Sequence, residues 1–107
     1  MQNPFRPATQ IERRSYQASK IDQIMATADE LDAILGHTAP GSPDGKTDAE
    51  FYAITNQGEY LELWNWKDGG YLGRDFDERE MRAFSVWYSN AEALQQLRYW
   101  LAIHRKS

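Results

Sequence analysis

The sequence predicts an α+β fold: one long N-terminal helix, a three-stranded antiparallel meander, and one or two C-terminal helices. Three observations carry that reading. Apolar residues recur at i, i+3 and i+4 between Ile21 and Leu35, the period of a helix face. They alternate from Phe51 to Trp66 around the turn-forming Asn56-Gln57-Gly58 and ahead of Asp68-Gly69-Gly70, the period of paired strands. After Ser89 the period is helical again.

A chain of 107 residues is one domain by length. It can bury roughly two-thirds of the surface that its unfolded form exposes, enough for a core without covalent staples. Cysteine is absent, which excludes disulfides, thiol nucleophiles and cysteine zinc sites. No apolar run reaches about 18 residues, and residues 1–10 contain no apolar signal core. The expected setting is the cytoplasm, away from membranes.

Taken in order, residues 1–10 hold Pro4 and Pro7 and read as an extended arm pinned by Phe5; the domain proper is 11–107. A helix is expected from Gln10 to Leu35, with Ile21, Ile24, Met25, Ala28, Leu31, Ile34 and Leu35 on its inward stripe. Gly36 is its stop signal. The Gly- and Pro-rich stretch 36–49 reads as a mobile loop.

In the sheet, the three-residue turn at 56–58 sets Ala53 against Leu61 and Phe51 against Leu63, with Ile54 beside Tyr60. One face then carries Phe51, Ala53, Leu61 and Leu63. The other carries Tyr52, Ile54, Tyr60, Trp64, Trp66 and Tyr71. The turn at 67–70 returns the chain as a third strand, Tyr71–Arg74, with Tyr71 opposite Trp66. Asp77 and Glu80 have capping-box spacing, and Met81, Phe84 and Tyr88 share a helical stripe. Phe84, Val86 and Tyr88 also alternate, so a fourth strand is the alternative there. Ser89 with Glu92 opens the last helix, which turns Leu94, Leu97 and Leu101 inward, with Trp100 and Ile103 widening the stripe.

Candidate chemistry is sparse. Asp75, Asp77, Glu78 and Glu80 are interleaved with Arg74, Arg79 and Arg82, which repel a cation; acids matched to a helix dipole explain them better. Asp44, Asp48 and Glu50 read as a solvated acidic loop. His37 and His104, the two histidines, have no nucleophile or carboxylate at catalytic spacing. No phosphate-loop, dinucleotide or nucleophile-elbow motif is present. The expectation is no catalytic residue, no metal and no cofactor.

Charge is uneven. The net charge is −4, and residues 28–60 carry one basic against seven acidic side chains. An acidic sheet argues against phosphate-backbone binding. The stretch Tyr71-Leu72-Gly73 with Phe76, at a sheet-to-helix junction, resembles an AP2-type DNA-binding domain. That resemblance implies Arg and Trp on the reading strands, where this chain has Glu59 and Glu62, and it assigns no family.

The expected function is that of a small acidic, non-enzymatic protein-binding module: an adaptor, accessory subunit or inhibitor, for instance a mobile-element or phage-encoded inhibitor of a host nucleic-acid-binding machine. Its contact residues would be Trp64, Trp66, Tyr71, Tyr60, Glu62 and Asp68. Its partner would be a protein with a basic surface or a second copy of the chain. Two rivals stand beside it. One is a nucleic-acid binder using the basic ends, Arg6, Arg13, Arg14, Lys20, Arg98, Arg105 and Lys106. The other is a small enzyme or ligand-binding protein with a pocket between loop 36–49 and the sheet.

Overall fold

Among the described residues the chain is built around an antiparallel sheet of six strands. The computed structural model describes residues 2–36, 39–40, 47–66 and 77–106, with backbone alone at 39, 40, 47, 48 and 66. In chain order the elements are β1 (Arg6–Pro7), α1 (Gln10–Ser15), β2 (Lys20–Ala26), α2 (Ala28–Leu35), β3 (Ala39–Pro40), β4 (Thr47–Ile54), β5 (Tyr60–Trp66), β6 (Arg82–Tyr88) and α3 (Ala91–Lys106). The sheet order is β1-β4-β5-β6-β2, and β3 also pairs with β4. Two short strands therefore cover the outer side of β4, and β2 forms the opposite edge.

This corrects the expected long N-terminal helix. Residues 10–35 form a one-and-a-half-turn helix, a seven-residue strand and a second short helix. Ile21, Ile24 and Met25 fit a helical stripe, but in β2 they alternate. Ile24 is buried, whereas Ile21 and Met25 are 56% and 53% exposed. The pairing with β6 overrides the local period, which short apolar runs leave ambiguous. Two capping boxes mark the true helix starts. Thr9 and Glu12 close one at α1, and Thr27 and Glu30 close the other at α2. Each satisfies two otherwise orphaned backbone N–H groups. At the end of α2, Gly36 adopts φ +99°, the left-handed stop expected of glycine there.

The expected three-stranded meander is also corrected. The β4–β5 hairpin has the anticipated register, with Phe51 opposite Leu63, Ala53 opposite Leu61 and Ile54 opposite Tyr60. The second edge of β5, however, is taken by β6 from Leu61 to Trp64. The expected third strand, Tyr71–Arg74, lies outside the described residues. Arg82–Tyr88 is a strand and not the helix expected there. Phe84 and Val86 point inward with both edges of β6 hydrogen-bonded, and a helix would forfeit those ladders. Asp77 caps a turn instead of a helix: its Oδ1 accepts from the Arg79 N–H at 2.9 Å. Thr47–Ala49, assigned to the loop from sequence, belong to β4.

The core lies on one side of the sheet. Helices α2 and α3 pack against each other, α2 against β4, and α3 against β5 and β6. Leu31, Ile34 and Leu35 of α2, with Leu94, Leu97 and Leu101 of α3, close over Phe51, Ala53, Leu61, Leu63, Phe84 and Val86. Phe51 and Phe84 meet edge-to-face with centroids 6.1 Å apart, a favoured aromatic geometry. Phe5 of the N-terminal arm is buried in the same cluster. Ile103, expected to widen the α3 stripe, is exposed.

Candidate functional site: the second face of the sheet

With both amphipathic helices on one side, the alternate residues of every strand face the other way. Two cross-strand rows follow from the register. One runs Tyr52, Glu62, Trp87, Ile21; the other runs Glu50, Trp64, Ser85, Gln23. Trp64 and Trp87 are diagonal neighbours. Their rings stack with centroids 5.7 Å apart and planes 23° from parallel, and both are half-buried. The Trp87 Nε1–H is shielded from solvent with no acceptor among the described residues. Beyond Trp87, toward the β2 edge, lie the exposed Ile21 and Met25.

Among the described elements, α1 and the residues after it lie over this face, at one end. Tyr16 stacks on Tyr60 with centroids 5.8 Å apart, and Tyr60 is fully buried. The Arg13 guanidinium sits 3.4 Å over the Tyr52 ring, a cation–π contact. The segment is fastened by the Ala8 N–H, which donates to the Tyr52 carbonyl at 2.8 Å. Arg6 grips Glu12 with two hydrogen bonds of 2.7 and 2.6 Å. These bonds hold the Glu12 carboxyl down at about 2, with the Arg6 hydrogen bond the leading cause and the Thr9 backbone N–H next.

Acids and tyrosines alternate beside the Trp pair. The Tyr52 hydroxyl donates to Glu50 at 2.6 Å and the Tyr60 hydroxyl to Glu62 at 2.9 Å. Burial first, and the accepting carboxylate second, push the Tyr52 phenol up to about 12 and raise that of Tyr60 as well. Both tyrosines therefore stay neutral donors toward Glu50 and Glu62. A cleft of about 350 Å³ opens between α1 and the sheet, lined by Gln10, Arg13, Arg14, Tyr52 and Glu62. Among the described residues that line it there is no nucleophile–base pair. Among the described residues no group of three His, Asp or Glu side chains is placed to hold a metal ion, and no helix is long and apolar enough to cross a membrane.

Of the residues singled out from sequence, the structure brings Trp64, Glu62 and Tyr60 to this face, with Tyr60 covered by Tyr16. Trp66 pairs through its backbone with Thr47. The Trp66 side chain, Asp68, Tyr71, His37 and Asp44 lie outside the described residues. Sequence reasoning missed Trp87 and the pair Ile21 and Met25. The alternation of Phe84, Val86 and Tyr88 was the available signal, because it puts Trp87 on the opposite face. Comparison with known protein families, characterised proteins and solved structures returned no match.

Proposed function

We propose that this chain is a non-enzymatic protein-binding module that docks a partner protein on the Trp64–Trp87 face of its sheet. The single observation that carries the reading is the placement of α2 and α3 on one side of the sheet. A stacked indole pair is thereby left on the other side, bordered by exposed Ile21 and Met25. Half-buried tryptophans on a sheet face that, among the described residues, no helix covers at Trp64 and Trp87 are the residue type that anchors interfaces.

The chemistry of the proposed partner follows from charge. The carboxylates of Glu50 and Glu62 flank the indoles, and the whole chain carries −4. A basic protein surface with an apolar anchor complements both features and would be steered toward them. Nucleic acid is disfavoured by the same charge. Of the basic residues at the chain ends, Arg6, Arg98 and Arg105 are each bound to a carboxylate, so they are poor phosphate ligands.

The test is capture followed by titration. Wild-type protein and the Trp64→Ala/Trp87→Ala variant are used to recover partners, and a recovered protein is purified and titrated against both. The expected result is a loss of about 2 kcal/mol or more in the variant, as for an interface hot spot, with weaker binding at higher salt and the fold retained by circular dichroism. Equal affinity of the folded variant for the same partner would overturn the proposal. So would a salt-sensitive preference for heparin or DNA over any protein.

A further inference from the structure

Among the described residues, the strand β2 forms a free sheet edge. It is seven residues long, pairs with β6 on one side, and has no strand on its other side among the described residues. Its sequence, Lys-Ile-Asp-Gln-Ile-Met-Ala, is apolar enough to recruit another strand. A long, unblocked edge of that kind is an aggregation and strand-addition site.

The edge is not bare. The backbone groups of Gln23 and Met25, two residues apart, project to the same side of the strand. The Gln23 N–H donates to Oδ1 of Asp22 at 2.7 Å. The Met25 carbonyl accepts from Nη2 of Arg105 at 2.7 Å. These are side-chain partners and not β6, so this side is the outward one. Both capping side chains are themselves held. Oδ2 of Asp22 accepts from Arg98 of α3 at 3.2 Å, and Nε of Arg105 donates to Glu30 of α2 at 2.6 Å. Arg98 and Arg105 both line a cleft of about 360 Å³ that also touches Gln23, Ile24 and Met25 of this strand.

We infer that Asp22 and Arg105 close the β2 edge against strand addition, and that the strand they exclude is β2 of a second copy of this chain. The edge is self-complementary. Antiparallel pairing about a two-fold axis at Gln23 sets Ile21 opposite Met25 of the second copy, and Met25 opposite its Ile21. These are the two large apolar side chains that β2 leaves exposed, and they lie on the same sheet face. The pairing would need the Gln23 N–H and the Met25 carbonyl, the two groups that are capped. Capping and pairing therefore exclude each other, and the intrachain caps keep the chain single. This inference does not depend on the proposed docking face, because it concerns the edge of the sheet.

The absence of cysteine makes the test clean. Gln23→Cys places one thiol on the two-fold axis, where paired strands bring Cα atoms to about 5.5 Å, within disulfide reach. In the otherwise native chain the expected result is a monomer by light scattering and slow disulfide formation. Adding Asp22→Ala and Arg105→Ala is expected to give a concentration-dependent dimer and crosslinking about tenfold faster or more, the equivalent of one uncompensated hydrogen bond. Lys106→Ala, which removes a charge next to Arg105 in the chain but neither a cap nor a residue named here as holding one, should stay monomeric. A second readout survives a poorly folding double variant: in Asp22→Ala alone, the Gln23 amide should exchange with solvent about tenfold faster. The inference is overturned if Gln23→Cys crosslinks equally fast with and without the caps. It is also overturned if the Gln23 amide exchanges at the same rate in the wild type and in Asp22→Ala.

Discussion

Arg105 and Glu30, 75 residues apart in sequence, meet with Nε 2.6 Å from Oε2 and tie the last turn of α3 to the first turn of α2. Glu30 is already engaged there, because its Oε1 accepts from the Thr27 N–H at 2.9 Å to close the capping box. One carboxylate thus caps one helix and anchors the end of another. Glu30→Ala is expected to cost about 1 kcal/mol through the lost cap. The ion pair adds only a few tenths, since Arg105 is substantially solvated. Urea unfolding of Glu30→Ala, Arg105→Ala and the double variant would measure the coupling. A coupling of zero would mean that the two helix ends are held by packing alone.

Acid should weaken the fold in a defined window. The carboxyls of Glu12 and Glu30 are held below their ordinary value by hydrogen bonds from Arg6 and Arg105. A depressed folded-state value means that the stabilisation is present above the ordinary 4.5. It is lost as pH falls toward about 2, the value for Glu12. Thermal melts between pH 6 and pH 2 should show a falling midpoint. In Arg6→Ala the low-pH part of that fall should shrink.

The alkaline side has the opposite sign. The Tyr52 phenol is raised from 10.0 to about 12, so the folded chain keeps a proton that the unfolded chain releases. The stability is present below pH 10 and lost as pH rises toward about 12. Tyrosinate absorbance should therefore rise late and together with unfolding. Glu50→Gln removes the accepting carboxylate and should advance the Tyr52 part of that rise.

Two aromatic truncations should separate the two faces of the sheet. Phe84→Ala opens a cavity in the fully buried cluster, and about 3–5 kcal/mol is expected. Trp64→Ala removes a half-buried ring and its stack on Trp87, whose geometry adds about 0.5–1.5 kcal/mol beyond area. It should therefore cost clearly less. Chemical denaturation of the two variants checks the order. A Trp64→Ala variant that is as damaged as Phe84→Ala would place that face in the core.

Gly36→Ala should be disruptive out of proportion to its size. The backbone there has φ +99°, and an added Cβ would lie 2.9 Å from Cδ of Pro7. The left-handed conformation alone costs about 1 kcal/mol for alanine, and the contact with β1 adds to it. Gly58, at φ +79° but 3.1 Å from the Tyr16 hydroxyl, should tolerate alanine better, since a side-chain tip can move. Melting temperatures of the two variants would show the difference.

Local sequence settled what local interactions settle. The 56–58 turn determines the β4–β5 register, because a hairpin loop and a buried Phe51/Ala53 face allow one pairing. Gly36 ends α2, and Leu94, Leu97 and Leu101 keep α3 helical over 16 residues. The aromatic identity of the second sheet face was also legible through Tyr52 and Trp64. Tertiary structure decided the rest. Ile21, Ile24 and Met25 fit a helical stripe by spacing yet fall on both faces of β2, while Phe84 and Tyr88 fit a helical stripe with Met81 and an extended period with Val86. Each segment became a strand because the other offers a full hydrogen-bonded edge, Lys20–Ala26 against Arg82–Tyr88. That choice couples two segments about sixty residues apart in the chain, and no local window contains it. The same pairing places Trp87 against Trp64 and leaves β2 at the rim, so both the candidate docking face and the capped edge are products of long-range pairing.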